Sequence, residues 1–229
     1  QVTNDYDNWV KKSTGAGAFK MTEWAKGSKL VLEKNEYYWE SGLPKLDKVT
    51  WHYIPNDNAR IIKMQAGEID AIIFVPFNKI AELDANNEIN VNLDPSSRMD
   101  HILINHSHKP LGDVRVRKAL NLGIDVDSII KTVAFGYATP ANSYVPAGGM
   151  YYHKANKGYG YDPDQARQLL DDAGVSNLDL DFVLQAGDAN FEQIGVLVKD
   201  QLGKIGVNVN LIKQESGQAW ETIVDGAYD

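Results

Sequence analysis

Apolar and polar residues alternate with a period of two in several short stretches of the first half of the chain. Two such stretches within residues 18–35 flank Gly27, and this pattern predicts a β-hairpin with the glycine in its turn. Residues 68–75 are almost continuously apolar, which predicts a strand buried on both faces. Further strands with alternating apolar positions are predicted at residues 48–54, 88–94 and 101–105.

Stretches with helical periodicity separate these predicted strands. Residues 57–66 follow a helical pattern that Gly67 closes. A shorter helix is predicted at residues 78–86, where Ile80 and Leu83 would face inward. The alternation of strand and helix indicates an α/β layer architecture.

The second half of the chain repeats this alternation on both sides of a long loop. Asp113 is predicted to cap a helix with one apolar stripe, and a second helix is predicted to begin at Asp125 or Asp127 and to end at Gly136. The loop that follows, residues 137–161, is rich in Gly, Pro, Ala and Tyr. Beyond it the pattern predicts a helix at 162–174, a strand at 178–184, a helix at 191–206, a strand at 207–211 and a final helix through 220–224.

The composition narrows the possible partners. A formal net charge of −8 argues against a surface that binds nucleic acid or an anionic membrane, because both attract Lys and Arg. No apolar run is long enough to predict a membrane span. Cysteine is absent from the chain, which excludes disulfides and thiolate metal sites.

The sequence contains no motif that carries catalysis. It has no G-x-S-x-G motif and no grouping of Ser, His and acid that stands out. His106 and His108 would share one face of a strand, but no carboxylate or cysteine nearby completes a set of metal ligands. We therefore predict a protein that is not an enzyme and holds neither a metal nor a cofactor.

Sequence motifs in a fixed order carry a resemblance to a known family. They are K-N-E-Y-Y-W at residues 34–39, A-G-E-I-D at 66–70, D-V-R-V-R-K-A-L at 113–120, Y-D-P-D-Q-A-R-Q-L-L-D-D-A-G at 161–174 and Q-L-G-K-I-G-V-N-V at 201–209. The set resembles the family 5 solute-binding proteins of bacterial ABC importers, the dipeptide and oligopeptide binders. No motif is diagnostic alone, but the ordered set is specific.

The resemblance implies an α/β fold of the periplasmic-binding-protein type II class, with two lobes, truncated here at both ends. Residues 1–97 would form the later part of lobe I and residues 98–229 most of lobe II, with the C-terminal return to lobe I missing. It further implies a small solute or a short peptide as ligand, the membrane subunits of an ABC permease as partner, and an extracytoplasmic location, in the periplasm or as a cell-surface lipoprotein.

Candidate ligand contacts follow from the α/β architecture, because ligands bind beyond the carboxyl ends of the strands in open α/β sheets. The corresponding loops here, residues 185–190 and 214–218, are rich in amides. Residues at the crossing between the two halves and on the long loop complete the set. The candidates are Arg98, Met99, Asp100, Asn105, Tyr144, Asp188, Asn190, Glu215 and Ser216.

Two other classes of function remain open on the residues alone. One is a small-molecule α/β enzyme whose catalytic residues lie in missing segments. The other is a sensor or chaperone domain that reuses the binding fold. Turnover of a ligand would favour the enzyme, whereas saturable binding without product would favour the carrier.

Overall fold

A computed structural model describes residues 15–94 and 96–229. The chain divides into two compact units, Gln1–Pro76 and Phe77–Asp229. The assignment of residues 1–97 and 98–229 to two lobes of a larger protein stays a prediction. In the part of the chain that the structure describes, no helix is long and apolar enough to cross a membrane.

The first unit is built on an antiparallel sheet with the strand order β1-β2-β3. Gly27 adopts a φ of 74° between the first two strands, which confirms the predicted hairpin. A helix, α1, follows the sheet, and the Asn56 side chain caps it by accepting a hydrogen bond from the Ala59 N–H. The elements are β1 Phe19–Ala25, β2 Lys29–Lys34, β3 Lys48–His52 and α1 Asp57–Gln65.

Three predicted strands are absent from the structure. Residues 68–75, 88–94 and 101–105 have irregular backbone and no strand pairing among the described residues. In the first of these segments Phe74 has a φ of 55°, and its side chain is 76% exposed. An apolar run becomes a strand only where a neighbouring backbone forms hydrogen bonds with its N–H and C=O groups. Apolar composition does not show whether such a neighbouring strand is present.

The second unit begins with three helices, and the second and third of them start at the aspartates that the sequence predicts as caps. The side chain of Asp113 accepts a hydrogen bond from the Arg115 N–H, and that of Asp125 accepts one from the Ser128 N–H. Of the two predicted starts of the second of these helices, Asp125 is therefore the one used. The elements are α2 Phe77–Asp84, α3 Val114–Leu122 and α4 Val126–Val133.

A strand–helix–strand segment completes the second unit. The helix before this segment is capped at its N-terminus by Asp162, and Pro163 lies in its first turn as predicted. The strands β4 and β5 pair in parallel, from Leu178 opposite Val207 to Gln185 opposite Gln214. The elements are α5 Pro163–Asp172, β4 Leu178–Gln185, α6 Ala189–Gly203, β5 Val207–Gln214 and α7 Ser216–Val224.

The core of the second unit lies between the parallel strands and helices α3, α5 and α6. Buried apolar side chains fill it, and the buried amide of Gln201 accepts a hydrogen bond from the Asp125 N–H at 2.8 Å. This bond ties the start of α4 to α6. The buried apolar residues are Leu111, Val116, Ala119, Leu120, Leu122, Ala166, Leu170, Leu178, Val198, Leu202, Ile205, Val207 and Val209.

Candidate ligand-binding site

The carboxyl ends of β4 and β5 lie side by side because the two strands are parallel. The Ala186 N–H donates to the Gln214 carbonyl at 2.7 Å, so the pairing extends past the end of β4. The chain then enters α6 on one side and α7 on the other. The two loops predicted to contact ligand are therefore adjacent at one edge of the sheet.

Asp188 holds the first of these loops against α6. Its Oδ1 atom accepts hydrogen bonds from the Asn190 N–H at 2.9 Å and from the Phe191 N–H at 3.2 Å. An aspartate at this position satisfies backbone donors that the first helical turn leaves free. The side chain of Asn190 is exposed beside it.

An ion pair that the sequence analysis did not single out joins the strand β5 to the first turn of α6, beside the two loops. Lys213 Nζ lies 2.7 Å from Glu192 Oε2, and the Gly187 N–H donates to Glu192 Oε1 at 3.3 Å. The hydrogen bond from Lys213, with that from Gly187, lowers the pKa of the Glu192 carboxyl. Lys213 belongs to the strand β5, whose alternation points it toward α6, and this is the signal that could have found the pair.

The second loop leaves two candidate side chains open to solvent. Glu215 precedes α7 in the capping position, yet its side chain makes no capping hydrogen bond, and Ser216 begins the helix. Gln214 is occupied differently, because its Oε1 atom accepts a hydrogen bond from the Thr222 hydroxyl at 3.0 Å. The free carboxylate and hydroxyl can therefore accept or donate hydrogen bonds to a polar ligand.

Arg98 is brought to the first turn of α6. Its guanidinium carbon lies 5.9 Å from the centroid of the Phe191 ring, and its Nε donates to Asp100 Oδ1 at 3.2 Å. Met99, which lies between Arg98 and Asp100 in the sequence, is half-buried. The Arg98 side chain therefore lies next to the first turn of α6, directly after the loop that follows β4.

Tyr144 and Asn105 make different contacts. The Tyr144 ring packs edge-on to the ring of His101 at 5.0 Å, and 76% of the tyrosine is exposed. The Asn105 side chain donates to the carbonyls of Gly226 and Tyr228, each at 3.0 Å. The Asn105 amide therefore holds the residues after α7.

The histidines predicted to share a strand face lie instead in the turn at residues 106–112, so that expectation is wrong. His108 Nδ1 contacts one carboxylate oxygen of Asp229, and the other oxygen accepts a hydrogen bond from the Asp181 N–H at 2.6 Å. Over residues 15–94 and 96–229, no group of three or more His, Cys, Asp or Glu side chains is placed to hold a metal ion.

The site therefore offers amides, carboxylates, a hydroxyl and one guanidinium at the edge of a parallel sheet. Groups of these kinds can make hydrogen bonds and ion pairs with a polar solute. Asp188, Glu192 and Arg98 make capping and ion-pair contacts, and none of these contacts sets a nucleophile against a base.

Comparison with known proteins gives concordant matches. The family model for bacterial extracellular solute-binding proteins, family 5 Middle, matches residues 1–229. The glutathione-binding protein GsiB of Escherichia coli O1:K1 / APEC is 30% identical over 205 residues, which cover 89% of this chain and 40% of the relative. The chain thus spans less than half the length of that relative.

Solved structures match over nearly the whole chain as well. NikA from Brucella suis in complex with Fe(III)-EDTA superposes with a TM-score of 0.85 and 28% identity, over 94% of this chain and 46% of that one. DppA from Helicobacter pylori, a periplasmic binding protein in complex with the peptide STSA, superposes with a TM-score of 0.81 and 27% identity. The match covers 99% of this chain and 46% of that one. The expected fold class, α/β of the periplasmic-binding-protein type, is confirmed.

Proposed function

The chain belongs to the bacterial extracellular solute-binding proteins of family 5, and we propose that it is part of a substrate-binding component that captures a short peptide for an ABC importer. The observation that carries this proposal is the edge of the β4–β5 sheet. There Asp188, Asn190, Glu215 and Ser216 present polar groups, and Arg98 lies against Phe191 of the same edge.

A peptide is the ligand that these groups suit best. A peptide backbone carries N–H and C=O groups at regular spacing, together with a charged group at each end, and such groups bind polar loops by hydrogen bonds. One relative is named for glutathione binding and another is in complex with the peptide STSA, and both support the same class of ligand. The relative that holds Fe(III)-EDTA is the reason to include metal chelates in any screen.

The proposed mechanism is closure of two lobes around the solute. Residues 1–97 belong to the first lobe and residues 98–229 to the second, and the solute binds between them. Closure excludes water from the cleft and so strengthens each polar contact. The closed protein then docks on the membrane subunits of the permease, outside the cytoplasm. No step in this cycle requires catalysis or a cofactor.

Comparison of the chain with the full-length protein tests the proposal. A ligand held from both lobes loses several kcal/mol when one wall is missing, and each ~1.4 kcal/mol is tenfold in affinity. We expect calorimetry with a library of short peptides to detect binding by the full-length protein and weak or no binding by residues 1–229. Equal affinities would mean that the site lies wholly within this chain, and turnover of a ligand would favour an enzyme instead.

A further inference from the structure

The side chain of Arg98 has hydrogen-bonding capacity that its contacts do not use. Resting on the proposed function, we infer that Arg98 is a specificity-determining residue that binds a carboxylate of the solute. The inference concerns one end of the ligand and one residue of the site. It therefore makes a sharper claim than peptide binding in general.

The contacts of Arg98 engage its Nε and its backbone N–H and leave one edge of the guanidinium open. The Nε atom donates to Asp100 Oδ1 at 3.2 Å, and the backbone N–H of Arg98 donates to Ser96 Oγ at 2.9 Å. No hydrogen bond from Nη1 or Nη2 to any described residue is present. Those two nitrogens form the end-on fork of the guanidinium, which matches the two oxygens of a carboxylate.

The aromatic ring of Phe191 lies close to the guanidinium of Arg98. The arginine carbon lies 5.9 Å from the ring centroid, a distance at which a cation is attracted to an aromatic face. The ring is half-buried, and Asp188 fixes the backbone N–H of Phe191 by capping α6. Contact with the Phe191 ring restricts the Arg98 side chain, so the arginine has less conformational freedom to lose when it binds ligand, which favours affinity.

The nearby acidic groups are bound elsewhere and leave Arg98 available. Asp188 accepts hydrogen bonds from the first turn of α6, and Glu192 pairs with Lys213 at 2.7 Å. Asp100 offsets part of the charge of Arg98, but both side chains are more than half exposed, at 57% and 51%. An exposed pair of this kind is weak, so a ligand carboxylate can share or replace it.

The test measures the preference of the full-length protein for a free carboxylate. The probes are the tetrapeptide Ser-Thr-Ser-Ala and the same peptide with a C-terminal amide, which removes the charge and keeps the length. Affinities are measured by calorimetry for the wild type, Arg98→Ala and Arg98→Lys. The matched control is Arg167→Ala, because Arg167 is a comparably exposed arginine in an ion pair on α5 of the same unit.

We expect the wild type to prefer the free acid, and Arg98→Ala to lose about ten- to one-hundredfold in affinity for the acid, the range for a charged hydrogen-bonded contact. The affinity of Arg98→Ala for the amide should stay close to that of the wild type. Arg98→Lys should retain part of the preference, since lysine keeps the charge without the fork. Arg167→Ala should match the wild type with both probes.

The outcomes separate the inference from the function on which it rests. If the wild type binds the acid and Arg98→Ala binds it equally well, the inference is overturned while the solute-binding function stands. Equal wild-type affinities for acid and amide would overturn it in the same way. If the wild type binds neither probe nor any other short peptide of the library, both this inference and the proposed peptide function fall. Arg98→Lys carries the comparison if circular dichroism shows that Arg98→Ala does not fold.

Discussion

Gly195 of helix α6 packs against Leu184 of strand β4, and its replacement by alanine tests the packing of the second unit. The glycine is buried in the middle of the helix. A Cβ atom built on it would overlap Cδ1 of Leu184 and lie 3.4 Å from Cδ2 and Cγ of the same side chain. Leu184 is only 5% exposed, so it cannot swing into solvent to make room.

Two opposing effects decide the sign of the Gly195→Ala substitution. Alanine favours the helix over glycine by about 1 kcal/mol. Overpacking a filled core costs about 1–3 kcal/mol. The free energy of unfolding should therefore fall by about 0–2 kcal/mol relative to the wild type, as the difference of these two terms. Gly203 supplies the control, because it ends the same helix and its added Cβ would meet nothing within 4 Å.

Chemical denaturation followed by circular dichroism compares the two variants. Gly203→Ala should be as stable as the wild type or more stable by up to about 1 kcal/mol. A Leu184→Val change should destabilise the Gly195→Ala background less than it destabilises the wild type, because the smaller side chain relieves the overlap. The packing argument is refuted if Gly195→Ala is more stable than the wild type, or if the two changes at residues 184 and 195 are additive.

Two further predictions concern the same unit. Leu202→Ala should reduce the free energy of unfolding by about 2–5 kcal/mol, because Leu202 is buried in the core. Val196→Ala, at an exposed position of the same helix, should change the free energy of unfolding by less than about 0.5 kcal/mol. A denaturant titration measures both changes. The hydrogen bonds from Arg115 lower the pKa of Asp113 from 3.8 to about 2, so the carboxylate contributes stability above pH ~4 that is lost as the pH falls toward 2. Asp113→Asn keeps a capping side chain but not the charge, so thermal unfolding at pH 4 and pH 2 should show a smaller acid-induced loss for this variant than for wild type, and equal losses would contradict the assignment.

Elements with local start and stop signals could be predicted from the sequence. Asp113, Asp125 and Asp162 each cap the helix that the pattern placed after them, because a capping hydrogen bond joins residues only two or three positions apart. The pair β4 and β5 was also predictable, since two alternating strands separated by a helix of suitable length favour parallel pairing. Such interactions are encoded within a short stretch of chain.

The three failed strand predictions share a different cause. Residues 68–75, 88–94 and 101–105 have apolar content suited to strands, but a strand forms only when a partner backbone lies alongside it. Among the described residues these segments have no such partner. In the first segment Ile73 and Phe74 are consequently exposed at 52% and 76%. The periodicity of one segment therefore predicts its preference for extended backbone, but it does not predict whether a partner strand will pair with it.

The candidate site follows the same division between local and long-range information. The rule for open α/β sheets placed ligand contacts in the loops after β4 and β5, because that placement depends only on strand direction. The contact of Arg98 with Phe191 joins residues 93 positions apart, and the pair of Glu192 with Lys213 depends on how α6 packs on β5. Neither contact has a local signal of its own. Arg98 is a candidate because of its predicted place at the crossing between the two halves, and the structure adds a physical contact. Its guanidinium lies near an aromatic ring, and the two terminal nitrogens that fit a carboxylate make no hydrogen bond to a described residue.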